Sequence, residues 1–389
     1  MSGETAATEC SHRPPCPGCP RFGDDAIAPD ALAELDRLAE RTGIERPERV
    51  VAPGFASRMR SRLMVRGRVR SPKIGLFELG THRIVDIPNC AIHHPLINEV
   101  ARAAKSAIHG AGARPYNEQT HEGLIRAIQI VVEGVAEPGI ERAQVVVVAN
   151  DESSHATQPV LDALERELGP RLHSLFWNGQ PERSNAIIGP LWERRFGPEM
   201  LEDDSGGTRV FYPPGAFGQA NARLTGALVE RLYGWIREGA NVAEFYAGVG
   251  AIGLGLVERA RGIAFNEIGA HSLDGLRRGI AVLEAVLRDK TEVVPGEAGG
   301  CTRLLDGCDT TIVDPPRRGL DVALRESLAN DWQGQCLVYV SCGVSSFLAD
   351  TNALLASGRW RLAELVAFGF FPFTEHVETL ARFERAESR

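Results

Sequence analysis

The chain has no run of about 18 apolar residues, so no membrane-spanning helix is expected. Its first twenty residues hold no apolar stretch of the kind that directs secretion, and a cytosolic protein without a membrane partner is expected. Overall positive charge is missing too. The 43 Lys and Arg are outnumbered by 51 Asp and Glu, a net −8. That excludes a nonspecific polyanion binder held by bulk charge and directs attention to local basic strips. No internal repeat or low-complexity segment occurs. What is present is ordinary for a soluble globular protein, 43% hydrophobic and 24% charged, and 389 residues allow two packed domains. Eight cysteines in a cytosolic-looking chain do not read as a disulfide framework. Cys10, Cys16 and Cys19 crowd together as Cys-x5-Cys-x2-Cys, which asks for a metal or redox explanation.

Residues 1–23, rich in Pro, Cys and Gly, read as a loop, followed by a helix over 30–41. Residues 55–79 read as extended. Arg58, Arg60 and Arg62, then Arg66, Arg68 and Arg70, recur every second residue and fall on one strand face, with no acid between 58 and 77. This is the local basic strip, read either as a phosphate contact or as a solvated face. Further extended runs at 84–87, 124–132 and 145–149, with helices near 95–109 and 156–168, make the first half a mixed α+β domain. The acidic, glycine-containing stretch 202–207 marks the boundary, giving domains 1–205 and 206–389. Beyond it, strands at 241–246, 262–266, 310–313 and 336–341 alternate with helices at 219–237, after Gly250, at 269–287 and after 341. That alternation implies a Rossmann-like, doubly wound α/β domain with ligands at the carboxyl ends of its strands.

Three motifs lie at those ends. Val242-Ala-Glu-Phe-Tyr-Ala-Gly-Val-Gly-Ala-Ile-Gly253 is a strand entering a glycine-rich turn. Gly248, Gly250 and Gly253 fit the dinucleotide pattern, and Glu267 follows at the spacing of a ribose-binding acid, so a nicotinamide enzyme is one reading. Glu244, on the strand before the turn, favours S-adenosylmethionine, because a carboxylate there suits an ammonium and repels a pyrophosphate. Asp314-Pro-Pro-Arg-Arg-Gly319 places an aspartate on a rigid corner, and Cys342 ends an apolar strand pointing into the same cleft. Cys301, Cys308 and Cys336 read instead as inert core thiols. His376 and Glu378 form a possible acid/base pair near the end of the chain.

Residues 211–383 closely resemble the catalytic domain of the RNA uridine-5-methyltransferases, in five ordered motifs: Phe217-Gly-Gln-Ala-Asn221, Glu244 to Gly250, Asp314 to Gly319, Ser341-Cys342, and Phe371-Pro through His376-Val-Glu378. The first half resembles that family in its arginine-rich strand, Asp86-Ile-Pro-Asn-Cys90, Pro115-Tyr-Asn-Glu, Asn185-Ala-Ile-Ile-Gly189 and the N-terminal cysteines. The resemblance implies an S-adenosylmethionine-dependent enzyme with an N-terminal iron–sulfur, RNA-binding α+β domain. Cys342 would be the nucleophile and Glu378 the proton acceptor, with Asp314 facing both cofactor and target base. Gln219, Tyr246, Gly248, Gly250 and Glu267 would join Glu244 around the cofactor, and Phe217 would stack on the flipped base beside an RNA track of Arg58, Arg60 and Arg62. Cys10, Cys16, Cys19 and Cys90 would hold a four-iron, four-sulfur cluster, although spacing alone also allows zinc.

Many relatives begin with an OB-like barrel. The cysteines start here at residue 10, and the shorter form is most like the branch acting on 23S ribosomal RNA. A monomer acting on ribosomal rather than transfer RNA is therefore expected. A transfer RNA enzyme or a non-catalytic iron–sulfur RNA-binding protein are the other readings. Gly343 and Gly369 depart from the family's usual Asn and Asp, which bears on how the substrate is positioned.

Overall fold

The computed structural model describes residues 10–24, 27–134 and 140–386. Among them no helix is long and apolar enough to cross a membrane. Two large sheets dominate. The first has seven strands in the spatial order Ile84–Asp86, Ser71–Phe77, Arg60–Arg68, Ile125–Val132, Ala143–Ala149, Leu172–Gly179 and Leu191–Phe196. Its pairings are antiparallel except between Ala143–Ala149 and Leu172–Gly179, which flank the helix Gln158–Leu168. That helix and Pro95–Gly110 cover one face, burying Leu63, Val65, Ile128 and Val145. On the other face Met64, Ala127, Val148 and Phe176 form a smaller cluster reaching Trp192. This face turns toward the second lobe, where Met59 N donates to Ala220 O (2.8 Å) and Gln144 Nε2 to Tyr212 O (3.4 Å).

The second sheet runs Glu48–Val50, Trp360–Phe368, Glu378–Arg385, Cys336–Ser341, Thr310–Val313, Asn241–Phe245, Gly262–Glu267 and Thr291–Pro295. All pairings are parallel except those of Glu378–Arg385, which is antiparallel to both neighbours. Thr310–Val313 is buried throughout, as expected of a central parallel strand covered on both faces. This is a mostly parallel, doubly wound α/β sheet, a form that carries its ligands at the carboxyl ends of the strands.

Three local features differ from the sequence reading. The stretch 202–207 is a hairpin, Leu201–Ser205 with Thr208–Tyr212, turned by Gly206 (φ 60°) and Gly207 (φ 88°). Paired glycines supply the two positive φ angles that such a turn requires. After Gly250 no full helix forms, only the 3-10 turn Gly253–Leu256. Glycines at 253 and 255 weaken the helix, and Lys290 Nζ collects the carbonyls of Val257, Glu258 and Ala260 that it leaves unpaired.

Finally, residues 27–50 pack with the second sheet although they precede the first. The helix Pro29–Thr42 buries Ala31, Leu32, Leu35 and Leu38 in the same core as Leu354 and Trp360. Glu48–Val50 then pairs with Trp360–Phe368. The amphipathic face of that helix needs an apolar partner, and the second lobe provides it. The two lobes are therefore interleaved along the chain.

Candidate active site

Strand register builds the site. Val313 pairs with both Phe245 and Tyr339, so Tyr246, Asp314 and Cys342 all emerge from one edge of the sheet. Ser341 pairs antiparallel with Thr379, which sets Glu378 beside the residue that follows Ser341, Cys342. Four residues far apart in sequence thus meet because their strands end together.

The glycine turn is held by two acids. Glu244 is buried, and its carboxylate lies so close to Gly253 that a Cβ there would collide with it. Its Oε2 has no partner in the protein. Burial, then the charges of Asp314 and Glu267, push its carboxyl well above the usual range. Glu267 is the opposite case. It accepts hydrogen bonds from the backbone N–H groups of Gly248 (2.8 Å), Ile268 (2.9 Å) and Gly269 (2.5 Å). Tyr246 adopts φ 62°, a conformation costly for a residue with a side chain, and its hydroxyl accepts from Asp321 N (3.0 Å). A buried carboxyl beneath a tight glycine turn, with Oε2 left without a protein partner, fits a cationic ligand and gives a pyrophosphate no welcome.

The reacting side is also acidic. Glu378 is 1% exposed, and neither of its carboxylate oxygens has a partner. Burial and then Asp314 raise its carboxyl well above the usual range, opposed by Arg317. Asp314 is raised to about 7 by burial. The two carboxyls share one pocket and cannot both ionise freely. The Cys342 thiol is pushed up by burial, Glu378 and Asp314, and drawn down by Arg317. Arg317 is thus the cation that favours the thiolate. It lies within a motif singled out on sequence but was given no role there. His376 is exposed, against the ring of Phe371 (5.9 Å).

The remaining expected residues are dispersed. Phe217 is 74% exposed on its loop. Gln219 lines a small cavity between the lobes with Arg60, Asp203, Ser205 and Tyr212.

The arginine row divides. Arg60 pairs with Asp203 (2.9 Å), both nearly buried, and stacks on Tyr212 (3.7 Å to the centroid). Arg58 is turned toward Cys90 and Cys19, where burial lowers its pKa. Arg66 pairs with Glu118. The sequence expectation of one phosphate-facing trio at Arg58, Arg60 and Arg62 therefore changes. Arg62 reaches the surface but is partly buried, which lowers its pKa, and is bonded only to Gln129 (2.6 Å), while Arg68 and Arg70 are exposed at the hairpin tip.

Cys10, Cys16, Cys19 and Cys90 are all free and half-buried. Burial raises Cys16 and Cys19, and Cys90 and Cys10 add to it, so the four thiols share one neighbourhood. Among the described residues no three His, Cys, Asp or Glu side chains converge tightly enough to hold a single metal ion.

The two unusual glycines are packed. A Cβ on Gly343 would stand 2.9 Å from Ser346 Oγ. One on Gly369 would meet Val51 (3.3 Å) and Ile27 (3.6 Å), apolar neighbours from the N-terminal segment that suit no carboxylate.

Fold and site together define an S-adenosylmethionine-dependent methyltransferase. Residues 304–385 match the family model described as tRNA (Uracil-5-)-methyltransferase. An uncharacterized RNA methyltransferase of Protochlamydia amoebophila is 35% identical over 334 residues, which is 84% of this chain and 86% of that protein. One from Halalkalibacterium halodurans is 26% identical over 361 residues, 90% and 76% of the two chains. The Pyrococcus abyssi tRNA (uracil-54, C5)-methyltransferase, solved in complex with S-adenosyl-L-homocysteine, superposes with a TM-score of 0.73 at 25% identity. The match covers 91% of this chain and 83% of that one. The chain belongs to the RNA (uracil-5-)-methyltransferase family.

Proposed function

We propose that this enzyme methylates carbon 5 of a uridine through a covalent bond between Cys342 and the base. The observation that carries the reading is the register that sets Cys342 beside a buried, unpartnered Glu378, with Asp314 in the same pocket. Carbon 5 of uracil is a weak nucleophile until a thiolate adds to carbon 6. In this reading the Cys342 sulfur bonds carbon 6, assisted by the positive field of Arg317. S-adenosylmethionine, when bound, supplies the electrophilic methyl. Glu378 then takes the carbon-5 proton, the carbon–sulfur bond breaks, and the thiolate is restored. Glu378 must be ionised to act, and Arg317 opposes the burial that keeps it protonated. Glu244, Tyr246, Gly248, Gly250, Glu267, Asp314 and Gln219 are assigned to the cofactor, and Phe217 to stacking on a base flipped from the RNA.

The four cysteines are read as cluster ligands because the family resemblance implies it, while their spacing also allows zinc. Arg58, turned to Cys90 and Cys19, offsets the negative charge such a core would carry. In this reading Cys10, Cys16, Cys19 and Cys90 hold the cluster and staple the first segment to the sheet.

Arg62, Arg68 and Arg70 form the RNA track. The cysteine-bearing branch that the sequence resembles favours 23S ribosomal RNA. The tRNA enzyme of Pyrococcus abyssi favours transfer RNA as the second reading. Mapping 5-methyluridine in both RNAs from cells with and without the gene decides between them, since one site should disappear with the gene and return with wild type. Restoration by Cys342→Ala would refute the covalent reading.

A further inference from the structure

Glu378 begins a strand, and the loop before it is held from outside the catalytic lobe. Phe373 is 1% exposed and adopts φ 63°, a backbone that persists only where the surroundings impose it. Its ring meets Phe22 (5.3 Å between centroids) and Phe55 (5.2 Å), which also meet each other (5.8 Å). Gly54 lies so close that a Cβ there would stand 2.9 Å from the Phe373 ring and from Pro372. The main chain is tied as well. Arg21 N donates to Phe373 O (2.9 Å), and Phe22 N donates to Cys19 O (3.2 Å). The ring that packs on the loop therefore belongs to the cysteine-bearing segment. Further along, Thr374 Oγ1 donates to Phe371 O (2.8 Å) and accepts from His376 N (3.2 Å), and Val377 is buried. Little slack remains between Phe373 and Glu378.

The nucleophile is fixed separately. Cys342 follows the strand Cys336–Ser341, and Ser341 Oγ accepts from Gly343 N (3.2 Å). The described contacts of the three rings do not include that turn.

We propose that Phe22 and Phe55 are positioning residues for the base: through Phe373 they fix the loop that aims Glu378 at carbon 5. The N-terminal segment is then a working part of the elimination step. The inference rests on Glu378 as the proton acceptor. It separates two steps that a merely structural cluster would affect alike.

The test follows the first turnover by rapid quench, using purified full-length enzyme and an RNA it methylates. Phe22→Ala should leave methyl incorporation within about twofold of wild type and slow release of free methylated RNA about tenfold or more, the scale of a modest misplacement. A methylated protein–RNA adduct should accumulate, and Phe22→Leu should restore most of the release rate. The thermal midpoint and circular dichroism, read on the same samples, separate this from loss of the segment. If Phe22→Ala does not fold, Phe22→Leu and Phe55→Leu carry the test through the same ratio of rates. Parallel slowing of both steps, or no change in either, overturns the inference. Glu378→Gln is run alongside. If it accumulates no adduct, the assignment of the base fails, and the inference with it. If it stalls while the phenylalanine variants do not, only the inference fails.

Discussion

The two sheets treat their most buried charges differently. In the second, buried carboxylates at strand ends are left unsatisfied: Glu244 Oε2 and both oxygens of Glu378 lack partners. In the first, guanidiniums in mid-strand are ion-paired, Arg60 to Asp203 and over Tyr212 with its buried Nη1 left unbonded, and Arg66 to Glu118. An orphaned buried polar group costs stability and calls for a partner, whether water or a ligand. A satisfied one belongs to the architecture. A row of like charges is therefore weaker evidence of a binding surface than a single carboxylate without a partner.

This contrast is put at greatest risk at Arg60. Arg60→Ala leaves Asp203 buried without its cation, held only by Asp204 N (2.9 Å), and should cost about 3–5 kcal/mol in chemical denaturation. Arg68→Ala at the exposed tip should change stability by no more than about 0.5 kcal/mol. Equal losses would erase the distinction between architectural and free arginines. The next effect is at the glycine turn. Gly253→Ala forces a Cβ against the Glu244 carboxylate and the Phe265 ring (2.6 Å). About 1–3 kcal/mol of stability should go, and affinity for S-adenosylhomocysteine, measured by calorimetry, should fall with it. Unchanged affinity would remove Glu244 from the cofactor site.

A third test uses pH. The Asp314 carboxyl is raised by burial from the ordinary aspartate range to about 7. Between those values the folded protein holds a proton that the unfolded chain has released. Its contribution is therefore present in acid and lost as pH rises toward 7. Asp314→Asn should flatten that part of the stability–pH curve, and an unaltered curve would count against a buried, proton-holding pair with Glu378. The smallest effect is on RNA. Replacing Arg62, Arg68 and Arg70 together should reduce the salt dependence of binding by about 0.7 for each single-strand phosphate that is no longer neutralised. A full salt slope in that variant would leave the basic strip a solvated face.

The alternation of elements after residue 219 was legible because each parallel strand is an apolar run ended by a turn. Asp314, Cys342 and Glu378 stood out because motifs at strand ends are local in sequence. Their mutual placement was not legible. It depends on Glu378–Arg385 inserting antiparallel between two other strands, a long-range pairing that no local pattern encodes. The packing of Pro29–Thr42 on the second lobe was hidden for the same reason, since an amphipathic helix declares an apolar face without naming its partner. The arginine period correctly marked the strand Arg60–Arg68, yet it could not distinguish the members that meet Asp203 and Glu118 from those that stay free. The hairpin at Gly206-Gly207 was within reach, because two adjacent glycines between short extended runs are a turn signal in their own right.

The central claim is that Cys342 and Glu378 act on opposite ends of one covalent intermediate. It is tested most directly by Glu378→Gln with a verified substrate RNA and cofactor labelled in its methyl group. The variant should attack and methylate but fail to release, giving a protein–RNA adduct that survives denaturing electrophoresis and carries the label, while the double variant with Cys342→Ala gives none. Free methylated RNA produced by Glu378→Gln at the wild-type rate, or an adduct that persists without Cys342, would contradict the account.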